Sequence, residues 1–350
     1  MAAKKKKAAK RSGAKGAKRV APARKAKTVK AAKRGAKKQE FKNILITGGA
    51  GYVGTATVGL LLSEGYNVRV IDSLRFGGQA IIPFFANDRF EFMKGDVRDR
   101  VAMEKAMKGV DAVVHLAGIV GFPACRKEPE LSREINVNGT QVVVDLARQE
   151  IPVLFASTGS TYGKMIEDIC TETTPLNPLS NYGVQKVEAE RVVQSNKKFV
   201  TYRFATAFGV SPRLRLDLLP NDFAYRAVRE KTLIVYEKHF MRTFIHVRDM
   251  ARSFLFALEN YPKMEGEVYN VGDNAMNHSK EAVCNMIRDK VECYVHFADV
   301  GKDIDQRDYV VSYDKIAKLG FRNTISMEKG LDELVRVAEI IEVQNPHYNV

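Results

Sequence analysis

The chain has 350 residues, a formal net charge of +15 and a pI near 9.5, which on average is typical of a nucleic-acid-binding protein. However, residues 1–38 contain 17 of the 56 Lys and Arg residues and no acid, so residues 39–350 carry 39 basic and 41 acidic side chains. A near-neutral segment of this length excludes a small disulfide-stapled scaffold, and four scattered cysteines without a CxxC pair favour neither a zinc site nor a disulfide framework. Because no apolar run approaches the about 20 residues of a membrane span and no signal peptide is recognisable, we expect a cytoplasmic protein without a membrane segment.

The first 38 residues predict a disordered basic tail. They are almost entirely Ala, Lys, Arg and Gly, with Val20 and Val29 as the larger aliphatic side chains. Such a composition cannot bury enough apolar surface to offset the entropy of ordering. Its charge predicts non-specific polyanion binding, and the lack of aromatic residues argues against recognition of bases.

From residue 41 onwards the pattern alternates between strands and helices. Short apolar runs predict strands at 44–46, 68–71, 90–92, 112–114, 153–155 and 200–202. Helical segments are expected at 52–64, 100–108, 131–149 and 182–196, and later near 221–231, 247–260, 279–290 and 326–342. This rhythm predicts an α/β fold with a doubly wound parallel sheet, followed by a smaller C-terminal lobe.

A glycine-rich turn follows the first strand. Gly48, Gly51 and Gly54 form a G-x-x-G-x-x-G pattern, in which the turn lets a pyrophosphate approach the backbone and the helix N-terminus. Tyr52 and Val53 lie within the same turn. The pattern alone is compatible with a tight structural turn, but the flanking strand and helix favour a dinucleotide site of the Rossmann type.

The ends of the next strands extend this prediction. Asp72 ends strand two, 18 residues after Gly54, where an acid binds the adenine ribose and disfavours a 2′-phosphate. NAD is therefore favoured over NADP, although Arg75 lies three residues further on. Further cofactor contacts are expected from the ends of strands three and four, at Asp96, Val97, Leu116, Ala117 and Gly118. We expect His115, beside them, to be a structural histidine.

The reacting groups are expected after strand five and at the start of the following helix. Thr158 ends the strand, and Tyr182 and Lys186 share one helical face because they are spaced i, i+4. A neighbouring ammonium favours the phenolate form of a tyrosine, so Tyr182 is a candidate general base. No metal site is predicted.

Together these motifs resemble the extended short-chain dehydrogenases/reductases that act on nucleotide sugars, which include UDP-glucose 4-epimerase and its relatives. The resemblance covers about residues 41–340 and implies a homodimer, with an NAD-binding Rossmann domain over 39–210 and a mainly substrate-binding lobe over 211–345. It gives Thr158, Tyr182 and Lys186 the catalytic roles. It implies further cofactor contacts from Asn136 and Ala205, and substrate contacts from Thr158, Thr206, Arg213, Asn221, Arg242 and Arg307.

The resemblance leaves the reaction open. The preferred hypothesis is an NAD-dependent nucleotide-sugar 4-epimerase that oxidises C4 transiently. Within the family, residues 211–223 and 302–311 look most like bacterial GDP-heptose 4-dehydrogenases and similar 4-epimerases. A nucleotide-sugar 4-dehydrogenase or 4-ketoreductase is therefore the alternative. A third hypothesis, a polyanion-binding redox sensor without turnover, leaves the Thr158, Tyr182 and Lys186 set without a purpose. Dehydration is disfavoured because Gly159 and Ser160 follow Thr158, where the 4,6-dehydratases carry Asp-Glu.

We expect the tail to be cleaved readily by proteases and to account for any nucleic-acid binding. A chain beginning near Gln39 should lose that binding, and binding by the full chain should weaken steeply with salt because it depends on counterion release. Electrophoretic mobility shifts at several salt concentrations test this. Salt-independent or sequence-selective binding would contradict it.

Overall fold

A computed structural model describes residues 41–163, 167–298 and 308–343, so the predicted tail and Arg307 lie outside the described residues. The strands are β1 (Asn43–Thr47), β2 (Asn67–Asp72), β3 (Phe90–Lys94), β4 (Ala112–His115), β5 (Val153–Thr158), β6 (Phe199–Phe204), β7 (Thr206–Phe208), β8 (Thr232–Tyr236), β9 (Met241–His246), β10 (Glu267–Val271), β11 (Asn277–Ser279) and β12 (Tyr294–Ala298). The helices are α1 (Tyr52–Ser63), α2 (Arg100–Met107), α3 (Phe122–Lys127), α4 (Pro129–Arg133), α5 (Gly139–Ala147), α6 (Asn181–Gln194), α7 (Leu219–Arg229), α8 (Val247–Asn260), α9 (Lys280–Arg288), α10 (Asp314–Lys318) and α11 (Met327–Ile340).

The main sheet has seven parallel strands in the order β10-β6-β5-β4-β1-β2-β3. The strand order reverses between β1 and β4, which is the doubly wound arrangement. Its central strands are buried because helices cover both faces, and this explains their nearly continuous runs of apolar residues. The predicted fold class is confirmed.

The six predicted strands are present, but the seventh was missed. β10 comes from the C-terminal part of the chain and pairs with β6, with Glu267 opposite Val200. The predicted helix over 131–149 is divided into α4, a π-helical turn at Glu134–Asn138, and α5. The domain boundary near residue 210 stays a prediction.

Two smaller sheets lie outside the main one. β7, β9 and β11 form the first, and β8 and β12 form the second. A separate apolar cluster, which includes Phe208, Phe244 and Leu331, connects these sheets with α7, α9 and α11. Among the described residues no helix is long and apolar enough to cross a membrane. The four cysteines are free thiols.

A buried ion pair connects α6 to β6. The guanidinium of Arg203 donates to Glu190 at 2.8 Å, and both side chains are almost completely buried. Ser157 on β5 also donates to Glu190, so one carboxylate joins the helix to two neighbouring strands. Charges buried together are costly to separate, because removing one leaves the other unpaired in a low-dielectric interior.

We expect Glu190→Ala to lower the free energy of unfolding by about 3–5 kcal/mol, because Arg203 would remain buried without its partner. Glu91→Ala is the matched control. It breaks the ion pair with Arg69, in which the Glu91 side chain is 56% exposed, and should cost about 1 kcal/mol or less. Urea denaturation measures both, and equal losses would contradict the prediction.

Candidate active site

A cavity of about 550 Å³ opens at the carboxyl edge of the main sheet. It is lined by residues that follow β1, β2, β3, β4 and β5 and by the start of α6. Ligands of doubly wound sheets bind at this edge, where the strand order reverses, and the volume is within the range of about 300–1,000 Å³ typical of small-molecule sites.

The glycine-rich turn shapes one wall of the cavity through close backbone packing. Gly48 has a φ of +73°, and a Cβ atom there would lie 2.7 Å from the backbone nitrogen of Ala117. A Cβ atom on Gly54 would lie 2.3 Å from the carbonyl oxygen of Gly48. Side chains at these positions would therefore push α1 away from the sheet edge. Gly51, Tyr52 and Val53 also line the cavity.

Asp72 stands at the end of β2 and is fixed by two backbone donors. Its Oδ2 accepts from the amide of Ala50 at 3.0 Å, and its Oδ1 accepts from the amide of Leu74 at 2.8 Å. Burial raises the pKa of Asp72, while the two amides and the nearby guanidinium of Arg213 oppose this increase. The carboxylate is thus placed beside the glycine-rich turn, with its orientation fixed.

The ends of β3 and β4 complete this part of the cavity. Asp96 pairs with Arg98 at 2.9 Å, and the hydrogen bond from that guanidinium lowers the pKa of Asp96. The other predicted contacts, Val97, Leu116, Ala117 and Gly118, line the cavity together with Ala205.

His115 is held inside the sheet, away from the cavity lining. Its Nδ1 lies 2.7 Å from the hydroxyl of Thr47, and its Nε2 lies 2.9 Å from the hydroxyl of Thr140. Burial, and secondarily the charge of Lys186, lowers the pKa of His115 to about 3. The imidazole is therefore neutral at physiological pH.

The predicted reacting groups also line this cavity. Thr158 and Tyr182 both line the cavity, and Thr158 forms a hydrogen bond to Ser160 with an oxygen–oxygen distance of 3.1 Å. Ser180 caps α6 by accepting from the amide of Gly183 at 3.1 Å. A Cβ atom on Gly183 would lie 2.9 Å from the carbonyl oxygen of Ser160, so the start of α6 packs directly on the turn that follows β5.

Lys186 lies one helical turn beyond Tyr182 and is only 3% exposed. Its Nζ donates to the carbonyl oxygen of Ala156 at 2.8 Å and lies 4.6 Å from the ring centre of Phe155. Burial lowers the pKa of Lys186 to about 8, against the opposing effects of Cys125 and Glu190. The ammonium group is thus held at a fixed point of the cavity wall.

Asn136 is placed behind the cavity lining. Its Oδ1 accepts from the amide of Ile119 at 2.9 Å, and its Nδ2 donates to Ile119 and, at 2.8 Å, to Gln185. A Cβ atom on Gly118 would lie 2.8 Å from this Oδ1. Asn136 therefore joins the segment after β4 to α6, and its predicted contact with the cofactor stays a prediction.

Some of the predicted substrate residues line the cavity and others do not. Thr206 and Arg213 line the cavity. Asn221 and Arg242 are buried outside its lining, where Asn221 binds the backbone and Arg242 donates to the carbonyl oxygen of Met241 at 3.0 Å. Several lining residues were not predicted, and Phe76 and Arg215 are among them. Arg215 belongs to the segment whose resemblance drew attention to Arg213, whereas Phe76 carries no sequence signal.

We expect Lys186→Met to have a higher free energy of unfolding than the natural chain near pH 7. This difference should become smaller as the pH increases. The pKa of the buried lysine is about 8, below the ordinary value of 10.5, so the unfolded chain binds more protons between these values. The stability of the natural chain should therefore rise with pH in that window. Thermal unfolding at pH 7 and pH 10 tests this, with Lys42→Met, an exposed lysine, as the control; a difference that does not change with pH would contradict it.

Comparison with known proteins agrees with this geometry. Residues 44–272 match the model of the NAD dependent epimerase/dehydratase family. The chain is 30% identical to UDP-glucose 4-epimerase GEPI48 of Cyamopsis tetragonoloba, over 66% of this chain and 76% of that protein. The Thermus thermophilus UDP-glucose 4-epimerase, solved in complex with NAD, aligns with a TM-score of 0.74 and 25% identity over 85% of this chain and 99% of the other. The Streptomyces venezuelae dTDP-glucose 4,6-dehydratase DesIV, solved with NAD, aligns with a TM-score of 0.75 and 27% identity over 84% and 96%. The chain belongs to the NAD-dependent epimerase/dehydratase family of extended short-chain dehydrogenases/reductases, and its cofactor is NAD.

Proposed function

We propose that the protein is a nucleotide-sugar 4-epimerase that oxidises and then reduces C4 of the sugar. The observation that carries the proposal is that Thr158, Tyr182 and Lys186 line the same cavity as the glycine-rich turn. The relative from Cyamopsis tetragonoloba, named a UDP-glucose 4-epimerase, supports this choice of reaction.

The cavity residues fit NAD. The turn at Gly48 and Gly54 excludes side chains and leaves the N-terminus of α1 open to a pyrophosphate. Asp72 offers a carboxylate at the end of β2 for the adenine ribose, and its negative charge disfavours NADP. When bound, NAD accepts a hydride from the sugar and returns it.

Tyr182 acts as the general base in the proposed mechanism. Its phenolate oxygen takes the proton of the C4 hydroxyl when C4 is oxidised and gives it back when C4 is reduced. Lys186 contributes a positive charge that favours the phenolate, and Ala156 holds the ammonium in place through its carbonyl oxygen. The hydroxyl of Thr158 is positioned to hydrogen-bond the reacting oxygen. Epimerisation would follow if the hydride returned to the opposite face of C4.

In the sequence, Thr158 is not followed by the Asp-Glu pair that the resemblance gives to the 4,6-dehydratases. The next two residues are Gly159 and Ser160, and Ser160 is buried and hydrogen-bonded to Thr158. Among the described residues that line the cavity, the carboxylates are Asp72 and Asp96, which belong to the ends of β2 and β3. Loss of water across C5–C6 would need a proton donor and an acceptor near the sugar, so we propose oxidation at C4 without elimination.

A 4-dehydrogenase or 4-ketoreductase uses the same three residues and differs in the fate of the hydride. The sequence of residues 211–223 favours this second candidate through its similarity to GDP-heptose 4-dehydrogenases. The two reactions differ in whether NADH leaves the protein, which is a measurable property.

We expect Tyr182→Phe to reduce sugar turnover by about 10²–10⁴-fold, because the variant keeps the ring but lacks the proton acceptor. NAD affinity should change little. Tyr294→Phe is the matched control, since Tyr294 is 64% exposed on β12 and outside the cavity lining. Turnover by Tyr182→Phe within a few-fold of the natural chain would contradict the assigned role.

The reaction itself is tested by incubating the protein with a panel of nucleotide sugars and analysing the products by mass spectrometry and NMR. We expect the C4 epimer, with no net NADH release. Accumulating NADH, or a need for an external electron acceptor, would favour the 4-dehydrogenase. A product lighter by one water molecule would refute oxidation without elimination.

A further inference from the structure

The segment between β7 and α7, residues 209–217, is fastened to the start of α1. The hydroxyl of Tyr52 donates to the carbonyl oxygen of Gly209 at 2.7 Å, and Ser211 donates to the carbonyl oxygen of Tyr52 at 2.6 Å. The hydroxyl of Thr55 lies 3.0 Å from that of Ser211. These bonds attach a segment from the C-terminal half of the chain to the helix that follows the glycine-rich turn. We call residues 209–217 the strap.

Asn221 fixes the shape of the strap from inside. Its Oδ1 accepts from the amide of Gly209 at 2.9 Å, and its Nδ2 donates to the carbonyl oxygen of Arg215 at 2.8 Å. The side chain is fully buried. One amide group therefore holds the backbone at Gly209 and at Arg215, two points of the strap that are six residues apart.

Arg213 extends from the strap to the segment after β2. Its guanidinium carbon lies 4.8 Å from the ring centre of Phe76, four residues after Asp72. Its charge is also close enough to Asp72 to oppose the rise in the pKa of that carboxyl group, which burial causes. Arg213, Phe76 and Asp72 all line the cavity. They surround the part of it that the Asp72 position assigns to the adenine ribose.

Arg215 lines the cavity and is close enough to Tyr52 and Tyr182 to interact with both electrostatically. It is 9% exposed, and its Nε donates to Asp217 at 3.1 Å. Its Nη2 lies 3.9 Å from the position of a Cβ atom on Gly121. Burial lowers the pKa of Arg215, but attraction to Asp217 and then to Tyr182 and Tyr52 outweighs this effect and raises it. The guanidinium is thus charged and oriented inside the cavity.

We propose that Arg213 and Arg215 bind the adenosine and pyrophosphate half of the dinucleotide, rather than the nucleotide sugar that the resemblance assigned to Arg213. In this proposal, Arg215 would supply N–H donors to the pyrophosphate in addition to those of the N-terminus of α1. Arg213 covers the adenosine over Phe76. A planar guanidinium suits this task because it offers several donors in a fixed geometry, and Asp217 fixes the plane of Arg215.

The proposal deepens the function proposed above, because it assigns a further part of the cofactor site. The hydrogen bonds between the strap and α1 hold the segment that carries both arginines next to the helix that follows the glycine-rich turn.

The test measures binding without any sugar, using isothermal titration of NAD, ADP-ribose and adenosine. We expect Arg215→Ala to lower the affinity for NAD and ADP-ribose about 10-fold to 100-fold, as for loss of a hydrogen bond to a charged group. The affinity for adenosine should fall much less. Arg213→Ala should weaken all three ligands. Arg215→Lys keeps the charge and should restore part of the affinity. Arg226→Ala is the control, since Arg226 pairs with Asp222 and Glu230 on α7 outside the cavity lining and should not change binding.

The proposal is overturned if Arg213→Ala and Arg215→Ala bind NAD and ADP-ribose within about 2-fold of the natural chain. Thermal unfolding of each variant shows whether it is folded, and Arg215→Lys, which removes no charge, provides the comparison if Arg215→Ala is unstable. Because no sugar is present, the result does not depend on whether the enzyme is an epimerase. If the arginine variants lose NAD affinity as expected but the natural chain forms no epimer, the proposed function is refuted and the proposal on NAD binding stands.

Discussion

The site depends on how closely the start of α1 packs against the carboxyl edge of the sheet. Glycine at position 54 is required because a Cβ atom there would lie 2.3 Å from the carbonyl oxygen of Gly48. Gly48 in turn has a positive φ and touches the backbone after β4. This contact positions the N-terminus of α1 over the cavity, and the ends of β2, β3 and β4 then face the same space. A larger residue at either glycine would separate the helix from the sheet and so displace the N-terminus of α1 from the ends of β2, β3 and β4.

A second contact of the same kind positions the reacting groups. Gly183 allows α6 to approach the turn after β5, so Thr158 and Tyr182 share a cavity although 23 residues separate them. On the same helix, Lys186 is fixed by the carbonyl oxygen of Ala156, and Glu190 joins a buried ion pair with Arg203. Tyr182, Lys186 and Glu190 recur every four residues, so one face of α6 carries in succession the proposed base, its ammonium and the carboxylate that anchors the helix. The helix α6 thus carries both proposed reacting groups and a buried ion pair that stabilises the fold.

The C-terminal half of the chain contributes directly to the domain that carries the glycine-rich turn. β10 completes the main sheet, and the strap at residues 209–217 is hydrogen-bonded to the first turn of α1. The C-terminal half therefore contributes to the sheet that carries the glycine-rich turn and to the cavity beside it. This arrangement explains how Arg215, a residue outside the expected Rossmann segment, comes to line the same cavity as that turn and Tyr182.

The sequence by itself determined the features that depend on local patterns. Apolar runs alternating with helical segments predicted the parallel sheet, because buried strands need apolar residues. The spacing of Gly48, Gly51 and Gly54 ahead of Asp72 predicted the cofactor turn, because the backbone conformation of the turn depends on residues close together in the chain. The i, i+4 spacing likewise placed Tyr182 and Lys186 on one face. Only the tertiary structure decided which arginines line the cavity. It brought in Arg215 and kept Arg242 outside the lining. It also set Arg213 over Phe76, a contact between segments more than 100 residues apart, which leaves no periodic signal in the sequence.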